Sequence, residues 1–170
     1  NNITKEELKN IYFVSDEKTK LLLDIVKRQE KYLDRETIGI YIGVAFCPTK
    51  CTYCSFPAYL LKGKYAERYD EYIESLYNET AEIGKFAQEQ KLKINTIYIG
   101  GGTPSILSAE EIEKLLLTVK ENYDLQNLRE FTFEAGRIDT LDREKLQILK
   151  KHGVDKISIN PQSFNETTLK

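Results

Sequence analysis

The apolar positions of this chain change their period near residue 37. Before it they recur at helical spacing: Leu21, Leu22, Ile25, Val26 and Tyr32 fall on one side of a helix that opens near Ser15 and Asp16. Ahead of that helix, Thr4 to Glu7 has the form of a capping box, with Thr4 accepting from the backbone and Glu7 reaching back. From Thr37 onward, short β-prone runs alternate with amphipathic helices. The first run is Ile38 to Phe46, and a long helix over about Tyr65 to Gln90 follows it. The second is Ile94 to Ile99. A second capping box, Ser108 to Glu111, opens a helix with Ile112, Leu115, Leu116 and Val119 on its inner face. Arg129 to Glu134 is the third run. A helix over Leu141 to Lys151 closes at His152 and Gly153 in the manner of a glycine C-cap. Val154 to Ile159 is the fourth run.

Strands separated by helices predict βαβ units and a parallel sheet in an α/β fold, either doubly wound or a (β/α) barrel. Both architectures carry their chemistry on the loops after the C-terminal ends of the strands. The unusual residues of this chain all fall there. Cys47, Cys51 and Cys54 follow the first strand, and Gly100 to Ser105 follow the second. Glu134 to Arg137 follow the third, and Asn160 to Ser163 the fourth.

Composition narrows the class only a little. The 170 residues are 41% hydrophobic and 31% charged, with a formal net charge of −2 and acids and bases interspersed. No basic stripe suggests a nucleic-acid surface. No apolar run approaches a membrane span and no signal peptide precedes the pattern, so the expected location is the cytoplasm. The chain has no Met and ends soon after a strand and a turn, as expected of an internal segment of a longer protein.

The chain holds only three cysteines, all within FCPTKCTYCSF. In a reducing compartment such clustering reads as metal binding or catalysis rather than as disulfides. A structural zinc site wants four closed ligands, and the single histidine, His152, is placed at a helix terminus. An iron–sulfur cluster held by three thiolates keeps one iron open for something else.

The spacing C-x3-C-x2-C, with Tyr53 before the last cysteine, resembles radical S-adenosylmethionine enzymes, and the likeness runs from Thr37 to Lys170. The stretches IYIGVAFCPTKCTYCSF, YIGGGTPS, FTFEAGR and ISINPQSF resemble the family of oxygen-independent coproporphyrinogen III oxidases and their relatives, most nearly its coproporphyrinogen-dehydrogenase branch called HemZ. The resemblance implies the N-terminal portion of a partial (β/α)6 barrel with parallel strands. A helical extension over residues 1–36 would precede a core over 37–170 that ends after the fourth strand. It implies a [4Fe–4S] cluster on Cys47, Cys51 and Cys54, and S-adenosylmethionine on the open iron. Gly100, Gly101, Gly102 and Thr103 would receive the methionine amino group. Glu134, Arg137 and Gln162 would face the same cofactor, with Tyr53 and Phe56 beside the cluster. Tyr41 would take the place of a family tyrosine near the cluster, as the candidate catalytic residue.

The activity implied is reductive cleavage of S-adenosylmethionine to a 5'-deoxyadenosyl radical. Oxidative decarboxylation of coproporphyrinogen III to protoporphyrinogen IX in haem biosynthesis would follow from it. A porphyrinogen- or haem-type molecule and a reducing donor such as a flavodoxin or ferredoxin are the implied partners. The chain departs from many coproporphyrinogen oxidases at Gly43 (His there), Ala45 (Pro) and Phe56 (Cys). Phe56 matches instead the haem-chaperone relatives and the HemZ branch. Haem trafficking, or radical chemistry on another substrate, therefore stands as the alternative.

Overall fold

The computed structural model describes residues 3–33 and 36–169. The chain divides into two units, Asn1–Glu36 and Thr37–Lys170. In the first, α1 (Lys5–Asn10) and α2 (Asp16–Glu30) are both capped by side chains. Thr4 Oγ1 accepts from the Glu7 amide at 3.2 Å, and Glu7 accepts the Thr4 amide at 2.7 Å.

In the second unit, β1 (Thr37–Val44), β4 (Lys93–Gly101), β5 (Glu130–Glu134) and β6 (Lys156–Ser158) form one sheet in the order β1-β4-β5-β6. Every pairing in it is parallel. The helices α3 (Tyr69–Glu89), α4 (Ala109–Asn122) and α5 (Arg143–Lys151) make the crossovers, and a short α6 (Glu166–Leu169) follows β6. Two differences from the sequence pattern matter for the site. The first apolar run does not continue to Phe46: Phe46–Cys47 peels away as β2 and pairs in parallel with β3 (Tyr59–Leu60). The long helix begins at Tyr69, because Gly63–Arg68 forms a 3-10 turn after Gly63 takes a left-handed φ of 57°.

Strand alternation sorts the two faces of the sheet. Ile42, Val44, Ile94, Ile97, Ile99, Phe131 and Phe133 face the helices and are buried against Leu76, Ile112, Leu115, Leu116, Val119 and Leu149. Among the described residues of this unit, no comparable apolar layer lies on the opposite face. Its rungs follow from the register: Tyr41 beside Tyr98, Thr132 and Lys156, and then Gly43 beside Gly100. One face is thus a hydrophobic core, and the other is a polar and aromatic surface leading to the strands' C-terminal edge. Among the described residues no helix is long and apolar enough to cross a membrane.

Candidate functional site

The cysteine loop is closed at its base by backbone bonds. The Tyr59 amide donates to Ala45 O at 2.8 Å, and the Leu61 amide to Cys47 O at 3.1 Å. Tyr72 on α3 reinforces the exit from β1, since its hydroxyl donates to Gly43 O at 3.1 Å and accepts from the Ala45 amide at 2.9 Å. Phe46 is held edge-on between Tyr69 and Tyr72, with ring centroids 5.5 and 5.0 Å away. Tyr72→Phe keeps this packing but orphans a partly buried amide, so it should lower unfolding free energy by about 1–2 kcal/mol in a urea titration. An unchanged midpoint would show that water replaces the hydroxyl at no cost.

The glycine loop after β4 lies directly on this loop. Its successive amides are all consumed by protein. Gly101 N donates to Glu134 Oε2 at 3.2 Å, Gly102 N to Val44 O at 2.7 Å, and Thr103 N to Phe46 O at 2.8 Å. A glycine turn after a strand commonly cradles phosphate with such amides. Here they are spent, so the loop is not built for an anion. The glycines also allow the contact itself. Gly101 has φ +114°, and a Cβ there would lie 2.4 Å from Val44 O; one on Gly102 would lie 2.6 Å from Phe46 O.

Glu134, at the end of β5, is oriented through both oxygens. Oε1 accepts from the Tyr98 hydroxyl at 2.6 Å, while Oε2 takes the Gly101 amide. A carboxylate with two donors retains free lone pairs for a ligand. The bond to Glu134, followed by burial, pushes the Tyr98 phenol up to about 12. Tyr98 also stacks on Tyr41, with centroids 5.8 Å apart and planes 14° apart. Burial, and then the Glu134 charge, raise the Tyr41 phenol. Tyr41 is 58% exposed, so its ring belongs to the open face and not to the core. Sequence reasoning missed Tyr98. The signal was there: it sits two residues before Gly100, as Tyr41 sits two before Gly43.

Arg137 and Gln162 bring the last two loops to the cysteines. Arg137 Nη1 donates to Thr49 Oγ1 at 2.6 Å, and its Nε and Nη2 form a bidentate pair with Asp139 at 2.9 and 2.6 Å. Asp139 holds the guanidinium above its usual range, with Cys51 contributing, and Arg137 in turn lowers the Asp139 carboxyl. The Tyr53 hydroxyl donates to Gln162 Oε1, and Gln162 Nε2 donates to Gly136 O at 2.5 Å. Gln162 has a left-handed φ of 63°.

These loops enclose a cavity of about 210 Å³. All three cysteines line it, together with Tyr53, Phe56, Gly101, Gly102, Thr103, Glu134, Arg137 and Gln162. Gly100 does not line it, although a Cβ there would come within 2.9 Å of Glu134 Oε2. Tyr41 lies lower on the same sheet face, outside the lining. Cys51, Tyr53, Arg137 and Gln162 also border a second opening of about 770 Å³ on their other side.

The donor set fits a thiolate-ligated iron–sulfur cluster better than a single ion. The three thiols are free of disulfides and share one cavity. Among the described residues, no three His, Cys, Asp or Glu side chains converge as ligands of one ion would. A four-iron cluster asks for something different, because each thiolate binds its own iron. His152 supplies no further ligand. It is 5% exposed at the end of α5, and its Nε2 pairs with Glu113 of α4 at 3.0 Å.

The profile of the Radical SAM superfamily matches residues 41–170. The oxygen-independent coproporphyrinogen-III oxidase-like protein HemZ of Bacillus subtilis is 45% identical over 96% of this chain and 34% of its own. The heme chaperone HemW of Lactococcus lactis is 42% identical over 76% of this chain and 32% of its own. The chain therefore spans about a third of the length of these curated relatives. Among solved structures, the coproporphyrinogen III oxidase HemN of Escherichia coli, a radical SAM enzyme, shares the fold. Its TM-score is 0.63 at 21% identity, over 78% of this chain and 29% of that one.

Proposed function

The chain belongs to the radical SAM superfamily, whose cofactors are a [4Fe–4S] cluster and S-adenosylmethionine, and from that premise we propose that it forms part of an enzyme cleaving S-adenosylmethionine for oxidative decarboxylation of coproporphyrinogen III to protoporphyrinogen IX. The observation that carries this reading is the shared cavity. Three thiols, the glycine loop, Glu134 and Gln162 meet at the C-terminal edge of one parallel sheet. Held by Cys47, Cys51 and Cys54, the cluster would supply the electron, and S-adenosylmethionine the radical, needed to remove hydrogen from a substrate propionate.

The chain's own residues bind and orient. Cys47, Cys51 and Cys54 hold the cluster. The loop Gly100 to Thr103 has turned its amides into the protein, so what it can offer a ligand is oxygen, suited to the methionine ammonium. Glu134, fixed by Tyr98 and Gly101, keeps lone pairs for the cationic or hydroxyl-bearing parts of the same cofactor. The Tyr53–Gln162 contact closes the far wall of the cavity. Arg137 is committed to Asp139 and Thr49, so its part is to tie the third loop to the cysteine loop and place positive charge near Cys51. Tyr41 and Tyr98 present a stacked aromatic pair on the open sheet face that leads to this edge. The reading calls for a reducing donor such as a flavodoxin or ferredoxin and for a cytoplasmic setting.

A second reading, haem trafficking with the same cofactors, draws on the identity to the heme chaperone and on Phe56. Anaerobic assay of the full-length protein with a reductant decides between them. The first reading expects 5'-deoxyadenosine together with protoporphyrinogen IX from coproporphyrinogen III. Turnover of neither, with stoichiometric haem retained through gel filtration, would favour the second. No cleavage of S-adenosylmethionine under any condition would sink the enzyme reading.

A further inference from the structure

The Thr103 hydroxyl meets sulfur at the cavity wall: Oγ1 lies 3.4 Å from Cys47 Sγ. Thr103 is 4% exposed. Its backbone is pinned on both sides, the amide donating to Phe46 O at 2.8 Å and the carbonyl accepting from the Ile106 amide at 2.9 Å. A buried hydroxyl requires a partner, and a thiolate, which carries no proton, can only accept. With Cys47 as a cluster thiolate, Thr103 Oγ1 is the donor of this bond. Cys54 also has a donor, the Phe56 amide at 3.4 Å. That bond is local to the turn, and most residues at position 56 would supply it. The bond to Cys47 is of another kind. It depends on the side chain at one position, and it crosses from the glycine loop to the cysteine loop, 56 residues away in sequence.

We infer that Thr103 tunes the reduction potential of the cluster through the hydrogen bond from its hydroxyl to Cys47 Sγ, raising that potential and linking it to the loop that receives S-adenosylmethionine. The inference rests on the reading that the three cysteines hold a [4Fe–4S] cluster. A donor on a ligating sulfur withdraws charge from it, and this stabilises the state carrying the extra electron. The effect is enlarged where water is excluded, as it is around Thr103. Position 103 is thus more than a member of a glycine turn. Its hydroxyl serves the sulfur, and the loop's contribution to an ammonium falls to the backbone.

The test uses the full-length protein, reconstituted anaerobically with iron and sulfide and titrated with dithionite while the reduced cluster is followed by EPR. Thr103→Val, close in shape and lacking the hydroxyl, should take up the same iron and sulfide but reduce at more negative potential. Its reduced-to-oxidised ratio at a fixed potential should fall roughly three- to tenfold. Thr103→Ser should restore the wild-type value. Proton ENDOR on the reduced wild type in H2O and D2O should show an exchangeable coupling that Thr103→Val lacks. The inference is overturned if Thr103→Val titrates like wild type, or if Thr103→Ser shifts as far as Thr103→Val. Absence of the exchangeable coupling in wild type overturns it without recourse to any variant. A wild-type protein that takes up no four-iron cluster fails at an earlier point, bringing down the cysteine reading and this inference with it.

Discussion

Cys51→Ala should reduce cluster loading to background while leaving the fold intact. Cys51 is partly exposed in a loop, outside the hydrophobic core, so its loss opens no cavity there. Its sulfur lines the cavity with those of Cys47 and Cys54, and three thiolates are already one fewer than the usual complement for a four-iron cluster. Removing another leaves two irons without a protein ligand. The measurement is iron and sulfide content after anaerobic reconstitution, read beside far-UV circular dichroism. His152→Ala is the companion variant. His152 is occupied with Glu113 between α4 and α5, so its replacement should leave loading at the wild-type level even though it costs stability. Equal loading of Cys51→Ala and wild type would end the thiolate assignment. Loss of loading only in His152→Ala would reinstate a histidine ligand.

Gly101→Ala should be the most damaging small substitution in the site. Two effects add at this position. The backbone stands at φ +114°, where an L side chain is strained by about 1–3 kcal/mol. The new methyl would also meet Val44 O at 2.4 Å and Val44 N at 2.8 Å, against backbone that cannot swing aside. Overpacking of this kind costs about 1–3 kcal/mol more. A total near 4 kcal/mol is a large part of a domain's stability. Gly63→Ala is the control, because Gly63 has φ +57° but nothing within 4 Å of its added Cβ. It should cost only about 1–2 kcal/mol. Equal urea midpoints for the two alanine variants would remove the claim that β1 and the glycine loop are in obligatory contact.

What the sequence made legible, and what it did not, follows from how far apart the determining residues lie. The capping boxes at Thr4 and Ser108 are written in residues three apart, and both form with the expected reciprocal bonds. The glycine C-cap at the end of α5 is local too, with Gly153 at φ +85°. The parallel sheet was readable because Ile, Val or Phe recur along β1, β4 and β5. The β2–β3 pairing has no such signature. Two residues show no period, and Phe46 looked like the end of one strand when it begins another. Tyr98 was passed over because its part is defined by Glu134, 36 residues on. Arg137 was expected to face the cofactor, and it does line the cysteine cavity. Its pairing with Asp139, two residues away, is one the residue types permit but do not announce. The cysteines and the strand-end loops were visible as a set because the parallel topology sends every such loop to one edge.

The closed base of the cysteine loop bears on the order in which the protein matures. The β2–β3 backbone bonds, the Tyr72 hydroxyl and the Arg137–Thr49 bond fix this segment without using any sulfur. In a classical zinc finger, by contrast, metal binding supplies the free energy of folding, and the chain is unfolded until it is loaded. Here the entropy of closing the segment is met by the polypeptide itself, so ligation has only a short, tethered stretch left to order. On the proposed cluster assignment, folding is expected to precede metallation, which equal far-UV circular dichroism before and after reconstitution would check.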